Sequence, residues 1–433
     1  MMEKDHNSAL LSQIAASPTA FHAVDTARRR LEEDGYTALD PSARWQLVPG
    51  GKYYLTANGS TLLAFRLPQG QPAGFLIAAA HSDAPCFKIK PGCEGAAAGH
   101  YVRLNTERYG GTLLNTWFDR PLAIAGRVLV EEDGRVVSHL VGPMENAAII
   151  PSVAPHLNSE ANNGFKPNPA VDLQPLWTLC GGEGTLLQRI AAAANVCESA
   201  ILGHDLYLVN TQSGAVVGGR REFLCAPRLD DLGCAFGCLE GFLSAEESRA
   251  VAVYALFDNE EVGSATKQGA ASTLLQGVLQ RIAESCGCHL TQLLHQSFLV
   301  SADNAHALHP NHPELSDALN APVLNGGVVV KYNANQRYTT EGVSAALFRQ
   351  LCRQAGVAVQ RYANRADLPG GSTLGSIATT QTPMCAVDIG LAQLAMHSCY
   401  ETMGSGDYAQ LVQAMTHFFS RTLTVTGESW QWM

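Results

Sequence analysis

The sequence predicts an α/β fold: a mostly parallel sheet flanked by helices and interrupted by a β-rich insert. Three observations carry that expectation. Short continuous apolar runs recur, "FLIAAA" at 75–80, "AVAVYALF" at 250–257, "SFLVSA", "GVVVKY" and "MCAVDIG". Each has the length of a strand buried on both faces. Helical patterns stand between them, at 232–244 and in "EGVSAALFRQLCRQAGV", the rhythm of parallel strands with helices on both faces. From about Pro91 to Gly219 that rhythm gives way to alternating pieces and turn residues. The expected division is 1–91 and 220–433 as two parts of one α/β domain, with 92–219 inserted between them. A chain of 433 residues is too long for one simple core, which agrees with two domains.

Taken in order, the chain opens with a helical pattern over 9–35, followed by strand-like "YYLTA" and "TLLAFRL". The run "FLIAAA" ends at His81-Ser82-Asp83. Polar residues just past such a strand lie where open α/β sheets place their sites. In the insert, "LAIAGRVLVEEDGRVVSHLV" predicts a hairpin with Asp133-Gly134 at its tip. The segment "HLNSEANNGFKPNP" reads as a long loop. There is no internal repeat, low-complexity tract or P-loop; "GGTLLNTWFDR" and "PGGSTLGS" are glycine-rich but do not match GxxxxGK[ST].

Composition narrows the function. The apolar fraction of 46% and charged fraction of 16% suit a globular chain. A net charge of −10, with no basic run to collect phosphates, argues against nucleic acid. The arginines of "ARRRLEEDG" are followed at once by acids and read as a solvated helix face. No apolar run is long enough to span a bilayer, so no membrane partner is expected. The N-terminus lacks the basic start and apolar core of a signal peptide. A cytoplasmic protein is expected. The twelve cysteines are scattered without a CxxC pair and are expected to be reduced and mostly buried.

The chemistry is expected where ionisable residues end apolar runs. His81 and Asp83 follow "FLIAAA", Asp230 and Asp231 open a helix, Glu260 and Glu261 follow "VAVYALFDN", Asp303 follows "SFLVSA", and His397 follows "LAQLAM". Each has an ordinary explanation: a hydrogen-bonded histidine, an acidic helix start, a loop aspartate. Their joint occurrence instead suggests one cleft. Two histidines with several carboxylates and no selected cysteine is a donor set for Zn²⁺, Co²⁺ or Mn²⁺. Neighbours on a strand point to opposite faces. For Glu260 and Glu261 both to reach one site, the chain must leave strand geometry there, and Gly263 eases such a turn.

The stretches "SPTAFHAV", "HSDAPCFKIKP", "YGGTLLNTWFDRPLAIAGRV", "IPSVAPHLN", "FLCAPRLDDL", "DNEEVGS", "SADNAHALHPN", "KYNANQRY", "GGSTLGS" and "LAMHS" run in this order from about residue 17 to 398. On them the chain resembles the M18 metallo-aminopeptidases, the aspartyl aminopeptidase group. The resemblance implies a zinc-peptidase-like catalytic domain carrying a β-rich dimerisation domain. It implies two divalent metal ions, Zn²⁺ first, with Mn²⁺ or Co²⁺ as alternatives. One would be held by His81, Asp230 and Asp303, the other by Asp230, Glu261 and His397, with Asp230 bridging. Glu260 would be the general base, and Asp83 would orient the His81 imidazole. The substrate's carbonyl would be polarised by metal and by His306 or His309. His156, His306, Lys331 and Tyr338 would surround the substrate. Lys331 would favour an acidic N-terminal residue, against its reading as a surface lysine after a strand. His156 lies in the insert, so it reaches the site only across a domain or subunit boundary, touching substrate or else a metal.

The implied activity is removal of N-terminal Asp or Glu from peptides with a free N-terminus. The alternatives are a neutral N-terminal preference, a related amidohydrolase or carboxypeptidase, and a silent oligomeric scaffold. The presence of every expected ligand argues against the last. The implied assembly is a homo-oligomer, built from dimers into a tetrahedral dodecamer. The chain departs from the family pattern at Asp231, where Asn is often found, and at Gly370-Gly371-Ser372-Thr373, where "CGTT" is often found.

Overall fold

The computed structural model describes residues 5–181 and 184–433. Nine strands form the main sheet in the spatial order Thr37–Ala38, Lys52–Ala57, Thr61–Arg66, Val251–Phe257, Phe75–His81, Phe298–Ala302, Cys385–Gly390, Val328–Tyr332, Val359–Ala363. The four strands from Val251–Phe257 to Cys385–Gly390 are mutually parallel. Val328–Tyr332 runs antiparallel to Cys385–Gly390, and Thr61–Arg66 antiparallel to Val251–Phe257.

Strand alternation explains the continuous apolar runs. In Phe75–His81, Leu76, Ala78 and Ala80 enter one core while Phe75, Ile77 and Ala79 enter the other. The first core is covered by the helices His6–Ala15, Ala20–Glu33, Leu229–Ser244, Gly342–Ala355 and Asp407–Phe419. The second is covered by Leu274–Ser285, Leu290–His295 and Leu374–Gln381. The expected helix over 9–35 is two helices, because Pro18 cannot donate within one and the chain breaks at Ala16–Thr19.

Six strands between Cys86 and Val209 close into an antiparallel barrel with its own core, including Phe87, Leu104, Trp117, Ile124, Val128 and Leu206. The expected join at 91/92 falls inside its first strand, Cys86–Ala97. The hairpin tip lies where expected: Glu132 pairs with Arg135, and Asp133 and Gly134 both have positive φ. A capped helix, Leu186–Ala194, also packs here; its short Ala-rich period gave no expectation. A third sheet of five short strands includes Ala305–His306, Ala392–Leu394 and Glu401–Gly404. All twelve cysteines are free thiols; five are buried, and Cys180 and Cys197 are exposed, so burial is less general than expected. Among the described residues no helix is long and apolar enough to cross a membrane.

Helix Leu229–Ser244 packs closely on Asp407–Phe419 through glycines. A Cβ at Gly241 would stand 2.4 Å from Met415 Cβ, whereas one at Gly277 in the exposed turn of Leu274–Ser285 would meet nothing within 4 Å. Overpacking costs about 1–3 kcal/mol, more than the ~0.5–1 kcal/mol that alanine gains over glycine in a helix. Gly241→Ala is therefore expected to lower the melting temperature and Gly277→Ala to raise it, as read by thermal unfolding of the two variants.

Candidate metal centre

The parallel strands set the frame. His81 ends Phe75–His81, Glu260 and Glu261 follow Val251–Phe257, and Asp303 follows Phe298–Ala302. These are the carboxyl ends of adjacent strands, where an open sheet leaves a crevice. Asp230 comes from the first turn of Leu229–Ser244, and His397 from the connection between Ala392–Leu394 and Glu401–Gly404. Asp230 and Asp231 have non-helical dihedrals within that first turn, so neither acts as an ordinary helix start.

The fold brings these side chains together. His81, Asp230, Asp231 and Asp303 form one group, His81, Glu260 and Glu261 a second, and Asp230, Glu261 and His397 a third. In each, one ligand atom per residue lies within 4.8 Å of the others. Asp230 offers Oδ1 to His81 Nε2 at 3.7 Å and Oδ2 to His397 Nε2 at 3.4 Å; His397 Nε2 is 3.5 Å from Glu261 Oε2. Donors about 2.1 Å from one tetrahedral ion stand about 3.4 Å apart, so the spacing fits a cation between them. Asp230 Oδ1 and Glu261 Oε1 are buried without a hydrogen-bond partner among the described residues. Such acceptors are costly unless a cation or proton meets them. The oxygen and imidazole donors suit Zn²⁺, and Mn²⁺ or Co²⁺ as well.

Electrostatics point the same way. Burial pushes the Glu260 carboxyl up to about 8, with Asp303, Asp83 and Asp230 adding to it against the opposing pull of His81. Burial likewise raises Glu261 well above the usual carboxylate range, and it raises Asp303 above its ordinary value. Burial works against a charged His397, but Asp230 and Glu261 outweigh it and raise it to about 10. Burial opposes ionisation of Asp230 too, yet His397 and His81 hold it below its usual value.

The two glutamates share the site because the strand ends at Phe257 and the chain turns at Asn259. Asn259 adopts φ 63°, Glu260–Val262 make a single 3₁₀ turn, and Gly263 has φ 94°. Asp83 holds that turn: Oδ1 accepts from the Glu260 amide and Oδ2 from the Glu261 amide, both at 3.2 Å. Tyr109 donates its hydroxyl to Asp83 Oδ2 at 2.6 Å and accepts from Asn259 Nδ2 at 2.9 Å. Asp83 also meets His81. The His81 ring is met more closely by the Asp83 carbonyl, at 3.0 Å from Nδ1, than by its carboxylate, at 3.5 Å.

The sequence reading missed Glu401, four residues after His397. Its Oε1 accepts from the His397 amide at 2.7 Å and its Oε2 from the Asp230 amide at 3.0 Å, and burial pushes it up to about 8. It also gave no role to the Tyr109-Gly110-Gly111 corner. His397 Nδ1 lies 3.1 Å from the Gly111 carbonyl, and a Cβ at Gly111 would stand 2.9 Å from that nitrogen. A side chain at this position would press on the His397 ring.

The expected substrate residues are divided. Lys331 is neither a surface lysine nor a free cation. It is buried, and its Nζ donates to the carbonyls of Asp303 and Asn304 at 2.8 and 3.1 Å and lies 3.4 Å from Asp303 Oδ2. Burial opposes its charge, but Asp303 leads the groups that raise its pKa overall. The Tyr338 ring lies 5.1 Å from Nζ, and Tyr362 links Tyr338 to the His306 ring. Solvent reaches His306, yet burial and then Lys331 lower its pKa. His309 stays on an exposed loop against His312, and His156 is exposed in the long segment of the barrel. Neither is among the residues of the three groups.

Residues 13–419 match the family model described as aminopeptidase I zinc metalloprotease (M18). The chain is 41% identical over 422 residues to a probable M18 family aminopeptidase 2 of Clostridium novyi, covering 95% of this chain and 98% of that one. It superposes with a TM-score of 0.92 and 36% identity on a chain of the cryo-EM structure of the Ape4 and Nbr1 complex, covering 96% of this chain and 85% of that one. It superposes with a TM-score of 0.85 and 30% identity on a chain of the S. cerevisiae mApe1 dodecamer, covering 96% of both. The chain therefore belongs to the M18 family of zinc metallo-aminopeptidases and is a hydrolase of peptide bonds.

Proposed function

We propose that this enzyme removes the N-terminal residue, Asp or Glu first, from peptides with a free N-terminus, using two metal ions and Glu260 as general base. The observation that carries the two-ion reading is the divided carboxylate of Asp230, with Oδ1 toward His81 and Oδ2 toward His397. His81, Asp230 and Asp303 would hold one ion, and Asp230, Glu261 and His397 the other. When bound, such ions polarise the scissile carbonyl and lower the pKa of a water. Glu260 lies beside both groups and keeps part of its surface in the cleft. Its carboxylate takes the water's proton and returns it to the leaving amine. The surplus of site carboxylates favours the substrate's α-ammonium.

An acidic preference is supported through a field rather than a contact. The Lys331 ammonium is committed to Asp303 and Asn304, but its positive charge still acts on His306, helping burial to lower that ring's pKa. A carboxylate beside His306 and Tyr338 would be favoured there. A homo-oligomer, by analogy with the mApe1 dodecamer, is supported by apolar side chains on the barrel: Val136, Leu157, Leu179 and Leu202 are all more than half exposed. In a dimer-built tetrahedral dodecamer, His156 would enter a partner's site.

Glu260→Gln is expected to lower kcat by about 10²–10⁴-fold while metal content, measured on the purified variant, stays at the wild-type level. Full chelator-sensitive activity in that variant excludes Glu260 as the base. On aminoacyl amides assayed with Zn²⁺, Mn²⁺ and Co²⁺, Asp and Glu amides should exceed Leu amide by about tenfold in kcat/KM. Leu first would establish the neutral preference, and cleavage of N-blocked amides would favour the amidohydrolase or carboxypeptidase reading. Sedimentation should show a species many times the 46.2 kDa of one chain; a fully active monomer would sink the assembly.

A further inference from the structure

We propose that Asp388 is a positioning residue for the substrate side of this centre. It clamps the two loops that carry Tyr338 and Gly370–Thr373 and faces the lysine that holds Asp303. Asp388 lies on Cys385–Gly390, wholly buried. Its neighbour in register is Ser301, two residues before Asp303. On its other side it stands one step beyond the Val330/Ile389 pair, opposite Lys331, whose charge acts on it directly. A buried carboxylate needs such partners.

Its oxygens reach the loops that flank the sheet. Oδ2 accepts from the Thr339 amide at 2.5 Å and Oδ1 from the Thr373 hydroxyl at 2.7 Å. The Asp388 amide donates to the Thr340 hydroxyl at 2.9 Å. Thr339 is the residue after Tyr338, and Thr373 ends the stretch that departs from the family pattern. Helix Leu374–Gln381 seals the site: a Cβ at Gly375 would stand 2.6 Å from Ser301 Cβ and 3.0 Å from Asp388 Oδ2. Tyr338 then lies over Lys331, and Lys331 reaches Asp303. One carboxylate thus sets the distance between the proposed metal ligand Asp303 and the wall of the substrate pocket.

The inference rests on the aminopeptidase reading, and its test separates the two. Asp388→Asn keeps the shape but removes the charge and one acceptor. With an aminoacyl amide that wild type cleaves, KM should rise about tenfold and kcat fall by less, with metal content unchanged. Hydrogen exchange in 333–341 and 364–373 should quicken about tenfold, and that in 75–81 should not. Thr373→Val should give a smaller version of the same split, and Thr373→Ser should restore wild type. The threonine pair decides the matter if Asp388→Asn does not fold. Wild-type KM and exchange with only a lower melting temperature, or a loss confined to kcat, would overturn the proposal. If wild type cleaves no aminoacyl amide, the aminopeptidase reading fails on its own, and exchange in the two segments still decides the clamp.

Discussion

The centre depends on one constraint: negative charge concentrated in buried space. Asp83, Asp230, Asp231, Glu260, Glu261, Asp303 and Glu401 converge there with two histidines and one lysine. Carboxylates this close repel, and burial raises the pKa values of Asp231, Glu260, Glu261, Asp303 and Glu401. Protons or cations can offset that charge. The spacing of the histidine and carboxylate donors fits a cation among them, in keeping with the zinc metalloprotease family to which the chain belongs.

What keeps such a site in shape is largely backbone hydrogen bonding to carboxylates. Asp83 accepts the amides of Glu260 and Glu261, and Glu401 accepts those of His397 and Asp230. Each carboxylate therefore orients two candidate ligands or bases through their main chain, leaving the side chains free. Tyr109 and Gly111 come from the end of a barrel strand and its following turn. The barrel is thus part of the site as well as a separate core. Its glycine corner lets the two units approach to contact distance at His397.

Lys331 shows how burial changes the meaning of a residue. From its position after an apolar run it reads as either a surface lysine or a cation offered to substrate. It is instead a structural cation that ties Asp303 and Asn304 to Val328–Tyr332, across the intervening strand Cys385–Gly390, and lies against the Tyr338 ring. Its influence on a substrate would travel as a field, at a range and direction set by the protein.

By itself the sequence determined the main-sheet strands other than Thr37–Ala38 and Val359–Ala363, the β-rich character of the insert, the hairpin at Asp133-Gly134 and the residues at the ends of apolar runs. These are legible because strand burial and turn geometry are local: apolar runs, alternation and positive-φ residues are written in consecutive positions. Only the tertiary structure decided that the turn begins at Asn259, that Asp83 holds it through two amides, and that Glu401 joins His397 to Asp230. It also decided the strand joins of the barrel and the commitment of Lys331. Those contacts unite residues separated by up to hundreds of positions, and their partners are chosen by packing and by the cost of burying charge, which no local pattern encodes.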